Sequence, residues 1–141
     1  MDTRTTIGSL LGQSARLIGN RLTANFAKAG FTVTSEQWIA LVNLSQRDGI
    51  TQQDLATQGY KNKASITNLV DNLEKANLVR REALENDRRV NLLVLTDLGR
   101  QTFEDLSKIA MRTIDEFMTG IDPADAAICR RVLLQIIGNL T

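Results

Sequence analysis

The sequence predicts a mainly α-helical protein that contains one small β-hairpin. Apolar residues recur at helical spacing over most of the chain, and only residues 79–84 and 90–95 are strand-like. The segment between them, Glu85-Asn86-Asp87-Arg88, is rich in turn-forming residues. An amphipathic helix precedes this hairpin, and an acid and two arginines, the second of them Arg89, lie at its turn. This order of elements is the layout of a winged helix-turn-helix.

Length and charge limit the classes of protein that the chain can belong to. Its 141 residues can form one domain with a hydrophobic core, and we expect residues 1–141 to be that single domain. With 17 basic and 16 acidic residues the net charge is only +1, so any binding to nucleic acid must come from a local patch. No apolar run reaches the length of a membrane span and the N-terminus lacks the apolar core of a signal peptide, which predicts a cytoplasmic protein without membrane contact.

The residue types also argue against common catalytic and metal sites. The chain has no histidine and one cysteine, Cys129, so His-ligated metals, zinc thiolate sites, disulfides and Ser-His or Cys-His catalysis are not expected. The nine glycines are scattered and form no phosphate-binding loop. We therefore expect no cofactor, no metal and no enzymatic activity. Cys129 is predicted to be a packed free thiol in the last helix rather than a sensor.

The first half of the chain predicts two helices and a short strand. Apolar residues at helical spacing indicate a first helix over about residues 5–29, which Gly30 ends as a left-handed cap. Thr34-Ser35-Glu36-Gln37 is a capping box that begins a second helix, and Asp48-Gly49 ends it. Ile50 is a single apolar residue between two helices, which is compatible with one short strand pairing.

The next segment predicts a helix-turn-helix. Thr51-Gln52-Gln53-Asp54 is a second N-cap signal for a short helix that Gly59 ends, and Asn62 can cap the helix that follows. This following helix has one apolar stripe, formed by Ile66, Leu69, Val70 and Leu73. Its opposite face is polar and nearly free of acids, and carries Lys61, Ala64, Ser65, Asn68, Asn72 and Lys75, with Asp71 towards its flank. Small polar side chains allow a helix to lie deep in a major groove.

The C-terminal part predicts two more helices and a dimer. Asn77 stands where the backbone needs a left-handed residue, Thr96 caps a fifth helix, and Asp122-Pro123 begins the last one. The DNA-binding core is expected at about 34–95, flanked by dimerisation helices at about 5–29 and 97–140. These terminal helices are too apolar to stay exposed, and a twofold-related copy would bury them.

The order of these elements over almost the whole chain resembles the MarR family of bacterial transcription regulators. Residues 50–56 are similar to the first helix of the family's helix-turn-helix, residues 64–75 to its recognition helix, and residues 78–81 to the start of its wing. Asp87-Arg88-Arg89 matches the Asp-x-Arg of the wing tip, and Leu95-Thr96 with Gly99 matches the start of the next helix.

The resemblance implies an obligate homodimer that binds double-stranded DNA at a short palindromic operator. Family members commonly repress transcription and release DNA when a small aromatic ligand or an oxidant reaches them. Asn68 stands where many members have an arginine, so base preference does not transfer, and Asn77 replaces a usual glycine. No cysteine lies in the first helix, where peroxide-sensing members keep theirs, and Cys129 is a poor match for that mechanism.

A set of polar and small residues is expected to contact DNA: Lys61, Lys63, Ala64, Ser65, Thr67, Asn68, Asn72, Arg81, Asn86, Arg88 and Arg89. Asp87 is expected to orient an arginine of the wing. Arg80 and Arg81 alternate across a strand, so at most one of them faces DNA. Arg16 and Trp38 are candidates for a small-molecule site, although Trp38 also suits the core. The alternatives are an ordinary solvated helix face and hairpin tip, and a winged-helix module that binds protein instead of DNA.

Overall fold

The computed structural model describes residues 2–47, 49–57, 63–84 and 86–141, without the side chains of Lys63 and Arg88. It confirms the mainly helical fold with a small sheet. After a short 3-10 helix at Thr3–Thr5, the elements in chain order are α1 (Ile7–Lys28), α2 (Ser35–Gln46), β1 (Ile50–Thr51), α3 (Gln52–Ala56), α4 (Lys63–Lys75), β2 (Val79–Leu84), β3 (Asp87–Leu95), α5 (Asp97–Phe117) and α6 (Pro123–Leu140).

Side-chain caps fix the starts of four helices, as the sequence predicts. Thr34 accepts a hydrogen bond from the Gln37 backbone N–H while the Gln37 side chain accepts one from the Thr34 N–H, which completes the capping box of α2. Thr51 and Asp54 form the same arrangement at α3, and these hydrogen bonds, first that from the Thr51 backbone, lower the pKa of Asp54. The hydroxyl of Thr96 and the carboxylate of Asp122 cap α5 and α6.

Left-handed residues end two of the helices. Gly30 follows α1 with φ +91°, and Asn77 follows α4 with φ +60°, both as predicted. Asn77 is the one non-glycine residue with positive φ among those that the structure describes. Of the predicted helix end Asp48-Gly49, Gly49 follows the end of α2 at Gln46 and has φ +85°, whereas Asp48, the predicted helix end at Gly59 and the predicted cap at Asn62 lie outside the described residues.

The three strands form an antiparallel sheet in the order β1-β3-β2. Ile50 pairs with Leu93, which confirms the expected short strand pairing. The predicted four-residue turn is too long, because β3 begins at Asp87 and Leu84 pairs with it across a bulge. The ladder therefore continues to the tip and leaves only positions 85 and 86 between the strands.

The core lies between the helix-turn-helix, the sheet, and the adjoining parts of α1, α2 and α5. Its largest fully buried side chains include Phe26, Leu41, Ile50, Leu55, Leu73, Leu93 and Leu106. The predicted apolar stripe of α4 belongs to it, since Ile66, Leu69, Val70 and Leu73 are all buried. This stripe holds α4 against the body and leaves its opposite face open to solvent.

The terminal helices are much less covered than the core. Of α1 only Phe26 is buried, and α6 has no buried residue among those that the structure describes. Large apolar side chains are exposed along both helices: Ile7, Leu10 and Leu17 on α1, and Ile128, Val132, Leu134, Ile137 and Leu140 on α6. Cys129 is exposed in the single chain as well, because α6 has no buried residue among those described, so the packing of its thiol stays a prediction that depends on burial by a second copy.

Candidate nucleic-acid interface

Helix α4 presents a polar face to solvent. Ala64, Ser65, Asn68 and Asn72 are exposed and stand opposite the buried stripe; we call these four residues the reading face. The first turn of α4 holds no acidic residue, so the positive end of the helix dipole is not offset there. A helix of this width, with short side chains that donate and accept hydrogen bonds, fits the major groove of B-DNA.

Thr67 lies to one side of the reading face. It is half-buried, and its hydroxyl accepts a hydrogen bond from the Gln52 side-chain amide at 3.2 Å. Gln52 is the first residue of α3, so this contact joins the two helices of the helix-turn-helix. The structure therefore places Thr67 at the junction of α3 and α4, beside the surface where the sequence predicts it to contact DNA.

We call the hairpin formed by β2 and β3 the wing. Its tip is basic and exposed. The Arg89 side chain is 95% exposed. The Asp87 carboxylate accepts a hydrogen bond from the Arg89 backbone N–H at 3.0 Å and lies 3.6 Å from its Nε. Asn86 is exposed beside them. Asp87 thus fixes the backbone at the point from which the arginine projects into solvent.

Arg81, one residue along β2 from Arg80, points away from solvent. Its Nη2 donates to Asp71 at 2.8 Å and its Nη1 donates to Glu74 at 2.7 Å, and its side chain is 22% exposed. The hydrogen bond to Asp71 is the main reason that the pKa of Arg81 is raised. Arg80 is on the other face, 58% exposed, and pairs with Glu82 at 2.7 Å. The two arginines alternate as the strand period requires.

The hydrogen-bond partners of Arg81 were not predicted from the amino-acid sequence. A basic residue on a strand and acids at positions 71 and 74 of a helix are common on solvated surfaces, so the pattern alone carries little signal. The available hint is that Thr67, Asp71 and Glu74 are spaced i, i+4 and i+7, which places them on one side of a helix. Only the fold shows that Arg81 faces that side.

Three predicted contact residues are not located by the structure. Lys61 lies outside the described residues, as do the side chains of Lys63 and Arg88. Their role therefore stays a prediction from the sequence.

The two residues predicted for a small-molecule site do not line the cleft that the structure shows beside the end of α4. Trp38 is half-buried against the core, stacked on Phe103 with ring centroids 5.2 Å apart and tilted against Phe26 at 5.7 Å. Arg16 is exposed on α1. A cleft of about 510 Å³ lies instead between the α1–α2 loop, the end of α4 and the start of α5, where Asn72 and Thr102 line it.

The described part of the chain contains no cluster of three or more acidic, cysteine or histidine residues that could hold a metal ion. None of its helices is long and apolar enough to cross a membrane.

The fold and the exposed α4 beside the wing define a winged helix-turn-helix protein. The model of the MarR family matches residues 33–90, from just before α2 into β3. The crystal structure of the transcriptional regulator PA3341 is 34% identical to this chain, covers 96% of it and 98% of its own length, and superposes with a TM-score of 0.82. The chain belongs to the MarR family.

Two further proteins are similar to this chain, one in sequence and one in fold. The transcriptional regulator FarR of Neisseria gonorrhoeae is 34% identical over 76 residues, which are 54% of this chain and 52% of FarR. The match thus spans about half the length of the first curated relatives. CouR from Rhodococcus jostii RHA1, solved with p-coumaroyl-CoA bound, shares the fold with a TM-score of 0.80 at 22% identity and covers 94% of this chain and 91% of its own.

Proposed function

We propose that this protein is a transcriptional repressor that binds double-stranded DNA as a homodimer at an inverted repeat. The observation that carries the proposal is the pairing of two surfaces: the acid-free start of α4 with its exposed reading face, and a wing tip from which Arg89 projects 95% exposed. The two surfaces offer the two kinds of contact that a specific DNA-binding protein needs, one to base edges and one to the backbone.

Recognition of the DNA base sequence is assigned to α4. Asn68 and Asn72 are exposed, and an asparagine amide can donate to N7-type acceptors and accept from amino groups in the way that adenine presents them in the major groove. Ala64 leaves room for close approach, and Ser65 adds a hydroxyl. Lys61 and Lys63 precede the reading face in the sequence, where they would meet phosphates at the N-terminal end of the helix.

Backbone binding is assigned to the wing. Arg88 and Arg89 lie at the hairpin tip, and Asn86 is exposed beside them. Contacts of this type hold the protein in register on the duplex and carry little sequence information. Asp87 supports them by fixing the Arg89 backbone. Arg81, whose guanidinium is bonded to Asp71 and Glu74, contributes indirectly in this proposal.

The homodimer is proposed from the exposed apolar surface of the terminal helices. Ile7 on α1 is 63% exposed and Leu140 on α6 is 81% exposed, and other large apolar residues follow along both helices. Exposed apolar surface of this extent is typical of an interface. A second copy related by a twofold axis would bury it and would present two α4 helices to successive major grooves, on the order of 34–36 Å apart.

We also propose that a small aromatic ligand releases the repressor from DNA. The support is the CouR structure with p-coumaroyl-CoA bound and, in this chain, the cleft of about 510 Å³ whose wall includes Asn72 near the end of α4. A ligand seated there would contact the helix that carries the reading face. Titrating hydroxylated benzoates and cinnamates into a protein–DNA complex tests this directly; unchanged DNA affinity with every compound would exclude these classes.

Selection of bound fragments from random DNA tests the main proposal. We expect enrichment of an inverted repeat with half-sites about one helical turn apart, because a twofold dimer places its recognition helices at that spacing. The matched control is the variant Asn68→Ala, which should enrich the repeat less strongly. Enrichment of a single asymmetric motif would contradict the dimeric arrangement. No enrichment at all would favour a winged-helix module that binds protein.

A further inference from the structure

We propose that Arg81 is a positioning residue that clamps α4 to the sheet and to α3, and so sets which side chains of α4 face the DNA. The inference rests on the proposed function and adds to it a residue that touches no DNA itself. Its guanidinium joins three elements of the structure through Asp71, Glu74 and Gln52, and we call these four residues the clamp.

The fold brings the three elements together at Arg81. Arg81 on β2 pairs with Leu93 on β3, and Leu93 pairs on its other side with Ile50 on β1. Gln52 begins α3 two residues after Ile50. The row across the sheet therefore ends beside the start of α3, and the long Arg81 side chain can reach both this helix and α4.

The contacts of the clamp converge on one side of α4. Arg81 Nη2 lies 2.8 Å from Asp71 Oδ1 and 3.3 Å from Gln52 Oε1, while Nη1 lies 2.7 Å from Glu74 Oε1. The Gln52 amide uses its nitrogen to donate to Thr67 at 3.2 Å. Thr67, Asp71 and Glu74 stand one above the other along α4. Three successive turns of the helix are thus tied to the same guanidinium, directly or through Gln52.

This arrangement fixes the rotation of α4 about its own axis. The buried stripe alone is apolar and non-directional, whereas hydrogen bonds to a planar guanidinium have a defined geometry. With side chains about 5–6 Å from the helix axis, a rotation of about 20° would move their tips by roughly 2 Å. That displacement is enough to break a base contact, because N–H···O hydrogen bonds span only about 2.7–3.2 Å.

The clamp also controls charge beside the DNA. Asp71 flanks the reading face and Glu74 lies one turn further along the same side of α4, and both would repel nearby phosphates if they were unpaired. The Arg81 side chain is only 22% exposed, so its positive charge interacts mainly with these two acids and little with solvent. A loss of binding on removal of Arg81 therefore has two possible causes, loss of position and loss of charge, and the test must separate them.

Three variants separate position from charge. Arg81→Lys keeps the positive charge but cannot donate to three partners from one plane. The triple variant Arg81→Gln/Asp71→Asn/Glu74→Gln removes the clamp without leaving unpaired acids. Arg80→Gln is the matched control, because it removes an arginine from the neighbouring position of the same strand, where the side chain pairs only with Glu82 in the described structure.

Each variant is titrated against the selected operator and random DNA, and amide hydrogen exchange of residues 63–75 is measured without DNA. We expect Arg81→Lys to keep its affinity for random DNA within about twofold and to lose at least about fivefold in the operator-to-random ratio, the lower end of one specific base contact. The triple variant should lose the ratio similarly. Exchange in residues 63–75 should quicken in both, and Arg80→Gln should leave the ratio and the exchange unchanged.

The outcomes distinguish this inference from the proposed function. If Arg81→Lys and the triple variant keep the wild-type ratio while the wild type binds its operator, the clamp does not position α4. Full recovery in the triple variant, with a loss in Arg81→Lys, would show that α4 keeps its position without the clamp and that the loss comes from acids that a lysine pairs incompletely, which also overturns the inference. If the wild type binds no DNA, the proposed function fails and so does a DNA-positioning role for Arg81, while the exchange rates still show whether Arg81 holds α4 in place.

Discussion

The wing should contribute to DNA binding chiefly through charge, and Arg89→Ala tests this. The Arg89 side chain is 95% exposed at the hairpin tip, and Asp87 approaches its Nε only to 3.6 Å, so the charge is available to a phosphate. A dimer carries this residue twice. Counterion release gives a slope of log affinity against log salt of about 0.9 per phosphate contact, so losing two contacts should flatten the slope by up to about 1.8.

This change in slope can be measured over an ordinary salt range. Between about 50 and 200 mM salt, the wild type should lose about twelvefold more affinity than Arg89→Ala. Operator and random DNA should be affected equally, because phosphate contacts do not read sequence. Fluorescence anisotropy titrations at three or more salt concentrations on both DNAs provide the data.

Arg80→Ala is the matched control for that experiment. It removes the same charge from the same hairpin, but Arg80 is already paired with Glu82 at 2.7 Å. We expect Arg80 to contact no phosphate, so the salt slope of Arg80→Ala should stay close to the wild-type value. The net charge changes equally in both variants, so any difference between their slopes reports the loss of the Arg89 contacts. An Arg89→Ala protein with wild-type slope and wild-type affinity for random DNA would refute the assignment of the wing to the DNA backbone.

The remaining predictions concern the reading face, the dimer and the fold. Asn68→Ala should cost about 1–3 kcal/mol per specific contact on the operator and leave the salt slope unchanged in the same titrations; equal losses on random DNA would contradict base reading. Light scattering of the intact chain at micromolar concentration should give twice the mass of 15.6 kDa, and a chain that ends before Asp122 should aggregate or unfold; a stable 15.6 kDa species would rule out the dimer. Gly99→Ala should lower the free energy of unfolding by about 3 kcal/mol or more in urea, because a Cβ there would clash with the Leu78 carbonyl oxygen; wild-type stability would contradict this close approach. Thr34→Ala should cost about 1 kcal/mol in the same assay through loss of the α2 cap, and no change would show that the cap is dispensable.

Local signals in the sequence predict most of the fold. The N-caps at Thr34, Thr51 and Thr96 and the left-handed Asn77 were all readable, because a cap depends on residues three positions apart. The length of the wing turn could not be predicted from the sequence. The pairing of Leu84 with Asp87 depends on how far the β2–β3 hydrogen-bond ladder continues and on a bulge in it.

The candidate site was predictable only in part, for a similar reason. The exposure of Asn68 follows from helical spacing within α4 alone. The partners of Arg81 lie 7, 10 and 29 residues away in the chain, and only the docking of β2 against α3 and α4 brings them together. The surface that covers Cys129 cannot be identified from the sequence, because an apolar neighbourhood does not show whether the same chain or a second copy packs against it.

The most direct test of the account is a methylation-interference footprint of the wild-type protein on its selected DNA. We expect two clusters of major-groove contacts, related by a twofold axis and centred about one helical turn apart, since a twofold dimer would place its two α4 helices in successive grooves. Arg89→Ala should weaken the complex without moving these clusters. A single cluster, or contacts confined to the minor groove, would contradict the claim that a dimer of this protein reads DNA through α4.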